Sequence, residues 1–401
     1  MTGPSATVDV AVIGGGIAGC AVAYELAREG FDTAVIERGE LNREASGATA
    51  GNFHVQLRRR KTEDGELTAA GRELVAAIIR LHLEAAKRWA RLEAELGCDL
   101  GVRVGGGLMV AEDEDQLRAL EEKSRLERDL GLGTELVSGS DLRALAPAMA
   151  GSLVGAVHCR EEGFANPLLA VPAFARAAAA AGARFFIQTS VVEVRPRPHG
   201  GLVVVTNAGS IVAGCVVNAA GALADQVARS AGSRLPVKSR INHVNVSEEA
   251  APMLTQMVTH VDRLLTLKQT QYGTFVIGGG WPGTLRAEAD HKGVLFDSVV
   301  GNLNTAARVM PGLCDVKLLR TWAGRSPAAD GRTCLVGADP QLRGMYVLVP
   351  LGTGFTLAPV LARLLAELIR SGTTSLPIGP FSIDNYAGAV TAYGASSEIE
   401  R

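Results

Sequence analysis

Cysteine is scarce in this chain, and its spacing excludes the usual metal and cluster motifs. The six cysteines are scattered through the sequence, at Cys20, Cys98, Cys159, Cys215, Cys314 and Cys334. There is no C-x-x-C motif and no close pair of the kind that holds zinc or an iron–sulfur cluster, so no metal site is predicted. Isolated cysteines favour a reducing compartment, and we therefore expect a cytoplasmic protein.

The chain also lacks long apolar runs and a strong net charge. No run of about 18 apolar residues free of charge occurs, and the first ten residues, MTGPSATVDV, lack the basic segment typical of a signal peptide. We therefore expect no direct insertion into a membrane. With 40 basic and 42 acidic residues the net charge is −2, which gives no electrostatic reason to expect nucleic-acid binding.

The most informative stretch is residues 8–37, VDVAVIGGGIAGCAVAYELAREGFDTAVIE. An apolar strand ends in a G-x-G-x-x-G motif at Gly14, Gly16 and Gly19, a helix follows, and a second strand ends at Glu37. A G-x-G-x-x-G motif that joins a strand to a helix and is followed by an acidic residue about 20 positions later is typical of a dinucleotide-binding unit. The sequence therefore predicts that an ADP moiety binds here.

Each residue type in this unit meets a physical requirement of that ligand. Gly14 permits the tight turn, Gly16 lets a pyrophosphate approach the main chain, and Gly19 lets the helix pack closely on the sheet. The helix N-terminus, at Ile17 and Ala18, offers N–H groups and the positive end of the helix dipole to the phosphates. Glu37 can accept hydrogen bonds from both ribose hydroxyls of the adenosine.

A loop rich in small residues follows Glu37 and extends the predicted site. It contains Arg38 and then Arg43-Glu44-Ala45-Ser46-Gly47-Ala48-Thr49-Ala50-Gly51-Asn52-Phe53-His54. Small side chains leave the main-chain N–H groups accessible to an extended cofactor. In this loop the chain resembles the D-amino-acid oxidase/sarcosine oxidase superfamily of FAD enzymes, whose members often have R-x-x-S-x-x-A-G after the ribose-binding acid.

The same resemblance recurs in three later segments. Val217-Asn218-Ala219-Ala220-Gly221 is similar to the family's V-x-A-A/T-G strand end, and Trp322-Ala323-Gly324-Arg325-Ser326-Pro327 is similar to its W-A-G-x-R-P segment. Leu351-Gly352-Thr353-Gly354-Phe355-Thr356 is similar to its last glycine-rich turn. The resemblance spans nearly the whole chain and implies that FAD is the cofactor. Some members of the family tether FAD to a cysteine near the W-A-G segment or to a histidine in a T-A-G-x-x-W-H context, but residues 322–327 contain no cysteine and Thr49–His54 is one residue shorter than that context. FAD is therefore predicted to bind non-covalently. The predicted FAD-binding residues are Gly14, Gly16, Ile17, Ala18, Gly19, Glu37, Arg38, Ala45, Ser46, Ala50, Gly51, Asn52, Val192, Ala220, Gly221, Gly324, Gly352, Gly354, Phe355 and Thr356.

The fold predicted from length and pattern is an α/β protein, α+β overall. The 401 residues, 47% of them hydrophobic, suffice for two or three domains with their own cores. Helices are predicted over 71–97, 113–130, 167–181 and 359–371, with strands between 184 and 217 and between 236 and 281. We expect a Rossmann-like FAD-binding domain, discontinuous over 1–80, 140–235 and 320–392. A substrate domain built on an antiparallel sheet is interleaved at 81–139 and 236–319, and 393–401 forms a C-terminal tail.

A second glycine motif, Gly278-Gly279-Gly280-Trp281-Pro282-Gly283, admits two interpretations. It would be an NAD(P)H site if an apolar helix followed, but the next residues are the polar TLRAEADHK. The preferred interpretation is a hairpin strand that faces the substrate. Without a nicotinamide site, electrons enter from an organic substrate.

The resemblance implies that the substrate is an amino acid or N-substituted amino acid, oxidised at its C–N bond. Such a substrate carries a carboxylate, and Arg325 is the candidate cation, since guanidinium forms bidentate pairs with carboxylates. The segment around Arg325 is one residue shorter than the family pattern, so a structural or flavin-facing role is an equal alternative. His54 is the second candidate catalytic residue, with alternatives as a polar active-site contact, a structural histidine or a covalent flavin anchor.

The electron acceptor and partners stay open. The loop around His54 is similar to that of the FAD-bearing β subunits of multi-subunit amine dehydrogenases, including opine oxidase and hydrogen cyanide synthase. A partner subunit carrying iron–sulfur centres would then receive the electrons, whereas a self-contained oxidase would reduce oxygen. A second hypothesis is a non-catalytic or electron-relay flavoprotein subunit of a larger amine dehydrogenase complex.

Overall fold

The computed structural model describes residues 6–58, 69–286 and 290–386 of the chain. Its α-helices are α1 (Ile17–Arg28), α2 (Ala45–Ala48), α3 (Ala69–Leu96), α4 (Glu114–Asp129), α5 (Gly139–Leu145), α6 (Pro167–Ala180), α7 (Ala224–Ser230), α8 (Phe296–Val309) and α9 (Gly354–Ser371). Its strands are β1 (Ala6–Ile13), β2 (Thr33–Ile36), β3 (Asn52–Phe53), β4 (Gly107–Ala111), β5 (Thr134–Ser138), β6 (Gly155–Cys159), β7 (Gly163–Phe164), β8 (Arg184–Phe186), β9 (Val191–Pro196), β10 (Leu202–Thr206), β11 (Gly209–Asn218), β12 (Lys238–Glu249), β13 (Met257–His260), β14 (Thr266–Gln269), β15 (Thr274–Gly278), β16 (Gly283–Arg286), β17 (His291–Val294), β18 (Leu318–Ala328), β19 (Cys334–Ala338) and β20 (Met345–Pro350).

The first large sheet is mainly parallel and contains the N-terminal glycine motif. Its strand order is β19-β20-β11-β1-β2-β8. In addition, β10 pairs with β11, and β9 pairs with β10. β1 alternates between two cores: Val10 and Val12 pack with α1, while Ala11 and Ile13 pack on the other face. Side chains alternate along a strand, so a central strand covered on both faces is apolar at nearly every position.

The second large sheet is mainly antiparallel and has the order β18-β12-β15-β14-β13-β4-β6-β5. Among its described strand pairs, only β13 and β4 run parallel. Its core is formed by strand residues such as Leu267, Phe275 and Ile277, against which α8 packs Ala306 and Val309. Together the two sheets confirm the predicted fold class, mixed α/β with a parallel and an antiparallel sheet.

The predicted domain ranges remain a proposal. β6 lies inside the range 140–235 assigned to the FAD-binding domain, and β18 crosses the boundary at residue 320, yet both strands pair within the second large sheet. The C-terminal tail predicted at 393–401 lies outside the described residues.

Helix predictions agree closely with the structure, with one correction. α3, α4 and α6 match the predicted ranges, and Asn166 caps α6 by accepting a hydrogen bond from Leu168 N at 2.9 Å. The last helix begins at Gly354 and not at Pro359. Because a proline near a helix start gives up only one main-chain hydrogen bond, it is a poor marker of the first residue.

The second glycine motif forms a strand connection. β15 ends at Gly278, β16 begins at Gly283, and β16 pairs with β17. The glycines therefore join β15 of the second large sheet to β16 of a separate two-stranded sheet, and no helix directly follows them in the described residues 283–286. This agrees with the preference against a nicotinamide site, whereas a strand that faces the substrate stays a prediction.

Candidate active site

A cavity of about 600 Å³ is lined by residues of both large sheets. This volume lies in the range typical of cofactor and substrate sites. The lining includes all but three of the predicted FAD-binding residues, together with His54 and Arg325. The exceptions are Gly19, Gly51 and Thr356.

The glycine turn forms one end of the cavity. Gly14 has a φ of +116°, and a Cβ there would lie 2.5 Å from the carbonyl oxygen of Ala219. Gly19 lies inside α1, where a Cβ would collide with the carbonyl oxygen of Gly14. Gly14 therefore shapes the wall directly, while Gly19 acts indirectly by letting α1 approach β1.

The N-terminus of α1 is covered by the small-residue loop. Ile17 N donates a hydrogen bond to Ser46 Oγ at 3.0 Å, and Ala18 also lines the cavity. The Ser46 hydroxyl keeps its own proton, so it can donate to a phosphate oxygen. The loop and the helix thus meet where the sequence predicts a pyrophosphate.

The carboxylate of Glu37 is held by two main-chain groups. Its Oε2 accepts a hydrogen bond from Gly15 N at 2.7 Å, and its Oε1 accepts one from Gly39 N at 2.8 Å. A carboxylate has about four lone-pair sites, so each oxygen can accept a further bond. Glu37 is therefore oriented toward the cavity with capacity for two ribose hydroxyls.

Arg38 belongs to a group of five charged residues that joins three segments of the chain, 38–44, 290–292 and the strand that carries Arg325. It lies 2.7 Å from Glu44 and 3.2 Å from Asp290, while Lys292 lies 2.9 Å from Glu44 and 3.5 Å from Asp290. Arg325 also bonds to Asp290. Burial raises the pKa of Asp290, but the three cations outweigh it, and the pKa lies below its ordinary value.

Arg325 is buried on β18, with 6% of its surface exposed. Its Nη2 donates to Asp290 Oδ1, whereas its Nε is buried without a hydrogen-bond partner. A guanidinium binds a carboxylate through two parallel N–H groups. Asp290 therefore accepts from one nitrogen of the guanidinium, and the residue as a whole lines the cavity.

His54 lies on the cavity wall directly after β3. Its main-chain N donates to Thr356 Oγ1 at 3.1 Å, which fixes the start of the segment. Burial lowers the pKa of its imidazole well below the ordinary value, and Arg58, His82 and Lys268 lower it further. The ring is therefore neutral near pH 7, and its surroundings disfavour the protonated form.

The segment that follows His54 is held by buried carboxylates, which sequence reasoning missed. Glu162 Oε1 accepts bonds from Val55 N at 2.8 Å and Gln56 N at 3.0 Å, and Glu127 Oε1 accepts one from Leu57 N at 2.7 Å. Lys123, fully buried, lies 2.8 Å from Glu127 and balances its charge. No local pattern indicates these contacts, because the carboxylates lie far away in sequence.

An aromatic stack fixes the N-terminus of α9 beside this segment. Trp89 of α3 stacks on Phe53 and on Phe355, with ring centroids 4.5 and 4.8 Å apart, and its Nε1 donates to Thr356 O at 2.9 Å. The predicted residues Gly352, Gly354 and Phe355 then line the cavity. Thr356 is fully buried behind them and donates from its hydroxyl to Asn52 O at 3.2 Å.

The remaining predicted residues lie around the same cavity. Ala45, Ala50, Asn52, Val192, Ala220, Gly221 and Gly324 all line it. Gly51 has a φ of +75° and lies just before β3, outside the lining. Lining residues that the predicted set omits include Arg58, His82 and Thr353.

The polar groups that line the cavity fit the chemistry of FAD. The main chain at the start of α1 and the hydroxyl of Ser46 offer donors, and the carboxylate of Glu37 offers acceptors. The phosphates of FAD can only accept hydrogen bonds and its ribose hydroxyls can donate them, so the two ends of this polar wall match the cofactor.

Two kinds of feature, a metal-binding group and a membrane-spanning helix, are not found within the described ranges. No three His, Cys, Asp or Glu residues there are grouped so that they could ligate a metal ion. None of the helices in the same ranges combines the length and apolar character that a membrane crossing requires.

Comparison with known proteins gives a consistent result. The family model described as "FAD dependent oxidoreductase" matches residues 9–368. Glycine oxidase of Geobacillus kaustophilus (strain HTA426) is 25% identical over 388 residues, covering 95% of this chain and 98% of that protein. An opine oxidase subunit from Rhizobium meliloti is 26% identical over 390 residues, covering 94% and 96%.

A solved structure confirms the fold. The crystal structure of glycine oxidase from Geobacillus kaustophilus superposes with a TM-score of 0.83 at 24% identity, covering 96% of this chain and 100% of that chain. At that identity the likeness concerns the fold alone.

Proposed function

The chain belongs to the family of FAD dependent oxidoreductases, and on that premise we propose that it oxidises the C–N bond of an amino acid or N-substituted amino acid. The observation that carries the proposal is the continuous cavity that joins the glycine–helix–Glu37 unit to the partly bonded guanidinium of Arg325. The similarity to a glycine oxidase and to an opine oxidase subunit supports the same substrate class.

The chain's own residues would hold the cofactor along the cavity. Glu37 would bind the ribose and the N-terminus of α1 with Ser46 the pyrophosphate. The rest of the cofactor would lie along Ala50, Asn52 and His54 and along the segments 220–221 and 352–355. When bound, the flavin supplies a hydride acceptor, so that the amine substrate leaves as an imine, which water hydrolyses.

Arg325 and His54 have separate roles in this proposal. Arg325 would bind the substrate carboxylate with the part of its guanidinium that Asp290 does not use, while Asp290 keeps the group in place through Nη2. His54, kept neutral by burial, would be a polar contact for a substrate that binds as the free amine, because only a free amine has the lone pair that drives hydride loss.

Anaerobic reduction of the bound flavin tests the proposal. Amino acids and N-alkyl amino acids are screened for bleaching of the yellow colour, with NADH as the comparison. We expect at least one carboxylate-bearing amine to bleach the flavin and NADH to leave it oxidised. Reduction by NADH alone, or by none of the amines, contradicts the proposal.

A second candidate function follows from the relatives. The opine oxidase relative is by its name one subunit of an enzyme, and an electron-relay or non-catalytic flavoprotein subunit with a partner carrying iron–sulfur centres is the alternative. A flavin that binds to the protein but is bleached by no amine favours this alternative.

The six free cysteines support a cytoplasmic location, which we also propose.

A further inference from the structure

We infer that His82 fixes the hydroxyl of Thr353 as a hydrogen-bond acceptor, and that the donor it serves is the N3–H group of the bound flavin. The inference rests on the FAD site on which the proposed function also depends. It assigns a positioning role to His82 on α3 and a cofactor contact to Thr353, neither of which is in the predicted set.

His82 has only one tautomer that fits its surroundings. Its Nδ1 lies 2.8 Å from Ile78 O, and its Nε2 lies 3.1 Å from Thr353 Oγ1. A carbonyl oxygen can only accept, so Nδ1 carries the proton and Nε2 offers a lone pair. Burial lowers the pKa of His82 to about 4, against the opposing effect of the Ile78 bond, so the ring is neutral at pH 7.

The tautomer decides what the Thr353 hydroxyl can do. Since Nε2 is an acceptor, the hydroxyl proton is directed to His82, and only the oxygen lone pairs are left for other partners. Thr353 is the N-cap residue of α9, a position where a hydroxyl oxygen usually accepts from the helix N–H groups. No such capping bond is formed here, although the residue lines the cavity.

A ligand group that bonds to Thr353 Oγ1 in this arrangement must therefore be a hydrogen-bond donor. The oxidised isoalloxazine ring carries one N–H group, at N3. Gly352, Gly354 and Phe355, which flank Thr353 on the cavity wall, belong to the predicted FAD-binding set. The flavin is thus the occupant we assign, and a substrate ammonium is the competing donor that the test must exclude.

The test is a thermodynamic cycle that combines a change in the cofactor with a substitution in the protein. Dissociation constants of FAD and of 3-methyl-FAD, which lacks the N3–H group, are measured with the wild type, Thr353→Val and Thr353→Ser. We expect the Val variant to bind FAD about 3- to 10-fold more weakly, the loss of one hydrogen bond. The penalty of the 3-methyl group should be smaller in the Val variant than in the wild type, while the Ser variant behaves as the wild type.

His82→Asn tests the positioning role. The shorter amide can still donate to Ile78 O but does not reach Thr353, so the 3-methyl penalty should shrink in this variant too. The control is His260→Asn, which removes a buried histidine whose ring lies outside the cavity lining. Imidazole ¹⁵N resonances of the wild-type protein should show His82 protonated at Nδ1.

Three results would overturn the inference. They are an equal 3-methyl penalty in wild type and Thr353→Val, a His82 ring protonated at Nε2, and a Val variant that loses affinity for substrate but not for FAD. Failure of the proposed function would be seen separately from these results. If no amine bleaches the flavin, the FAD and 3-methyl-FAD dissociation constants can still show the expected dependence on Thr353.

Discussion

At the scale of single residues, the site depends on charged groups whose surroundings leave donors or acceptors free. Glu37 uses one lone pair of each oxygen for the main chain, and Arg325 uses one nitrogen for Asp290. Both side chains are therefore oriented before any ligand arrives. Preorganised groups lose little further conformational freedom on binding, so we expect each to contribute strongly to affinity.

Replacing Arg325 tests the carboxylate site. Loss of a buried charge-assisted pair costs about 2–4 kcal/mol, so Arg325→Met should raise the substrate concentration for half-reduction of the flavin by about 30- to 1000-fold. Anaerobic titration measures this, with Arg320→Met, an exposed change on the same strand, as control. If Arg325→Met binds substrate as the parent does, another cation holds the carboxylate.

Glu37→Ala addresses the other end of the cavity. It removes the acceptor of both ribose hydroxyls, and two charge-assisted bonds are together worth about 2–4 kcal/mol. The dissociation constant of FAD should therefore rise by about 30- to 1000-fold, as measured by recovery of flavin fluorescence. Glu40→Ala, an exposed neighbour outside the cavity, should have no effect. Full retention of FAD by Glu37→Ala would count against the assigned ribose site.

At the scale of elements, the segment after β3 is positioned by distant buried groups. Residues 55–57 donate main-chain hydrogen bonds to Glu162 and Glu127, and the Phe53–Trp89–Phe355 stack ties β3 to α3 and α9. Buried main-chain groups must be satisfied. The carboxylates therefore stabilise one irregular path that places His54 at the cavity.

Glu162→Ala should destabilise this path. It leaves the N–H groups of Val55 and Gln56 without partners, which costs about 2–5 kcal/mol in the free energy of unfolding. Urea denaturation measures the loss. Glu93→Ala is the control: Glu93 also accepts from two main-chain groups, Leu100 N and Val102 N, but it is only partly buried, so water can replace it and the loss should be smaller. Equal losses would show that burial of Glu162 is not what matters.

At the scale of the whole molecule, the cavity exists because two sheets with different roles face it. The mainly parallel sheet provides the cofactor end through β1, β2 and β11, while the mainly antiparallel sheet provides Arg325, Thr266 and the Gly278–Gly280 turn. A ligand that contacts both sheets should stabilise the whole fold by mass action.

For the whole molecule we expect that FAD is bound without a covalent bond to the protein. No cysteine lies in the Trp322–Pro327 segment, and the spacing around His54 is one residue short of the pattern for covalent attachment. Acid precipitation of the yellow protein should release the flavin into the supernatant. A yellow pellet would instead identify His54 as a covalent anchor.

The sequence alone determined the strand–helix–strand unit at which we propose that the ADP part of FAD binds. Gly14, Gly16, Gly19 and Glu37 lie within one strand–helix–strand unit, so their spacing largely fixes their relation in space. The fold class was predictable for a related reason: helix and strand periodicities are local, and α3, α4 and α6 form where they predict.

Only the tertiary structure decided the surroundings of Arg325, where we propose that the substrate binds. Asp290 reaches Arg325 across 35 residues, Glu162 reaches Val55 across 107, and His82 reaches Thr353 across 271. These contacts depend on strand register and on the packing of helices against sheets, and a shift of one residue turns a strand side chain to the other face. No local pattern carries that information, so the partners of Arg325 and the orientation of Thr353 follow from the folded chain alone.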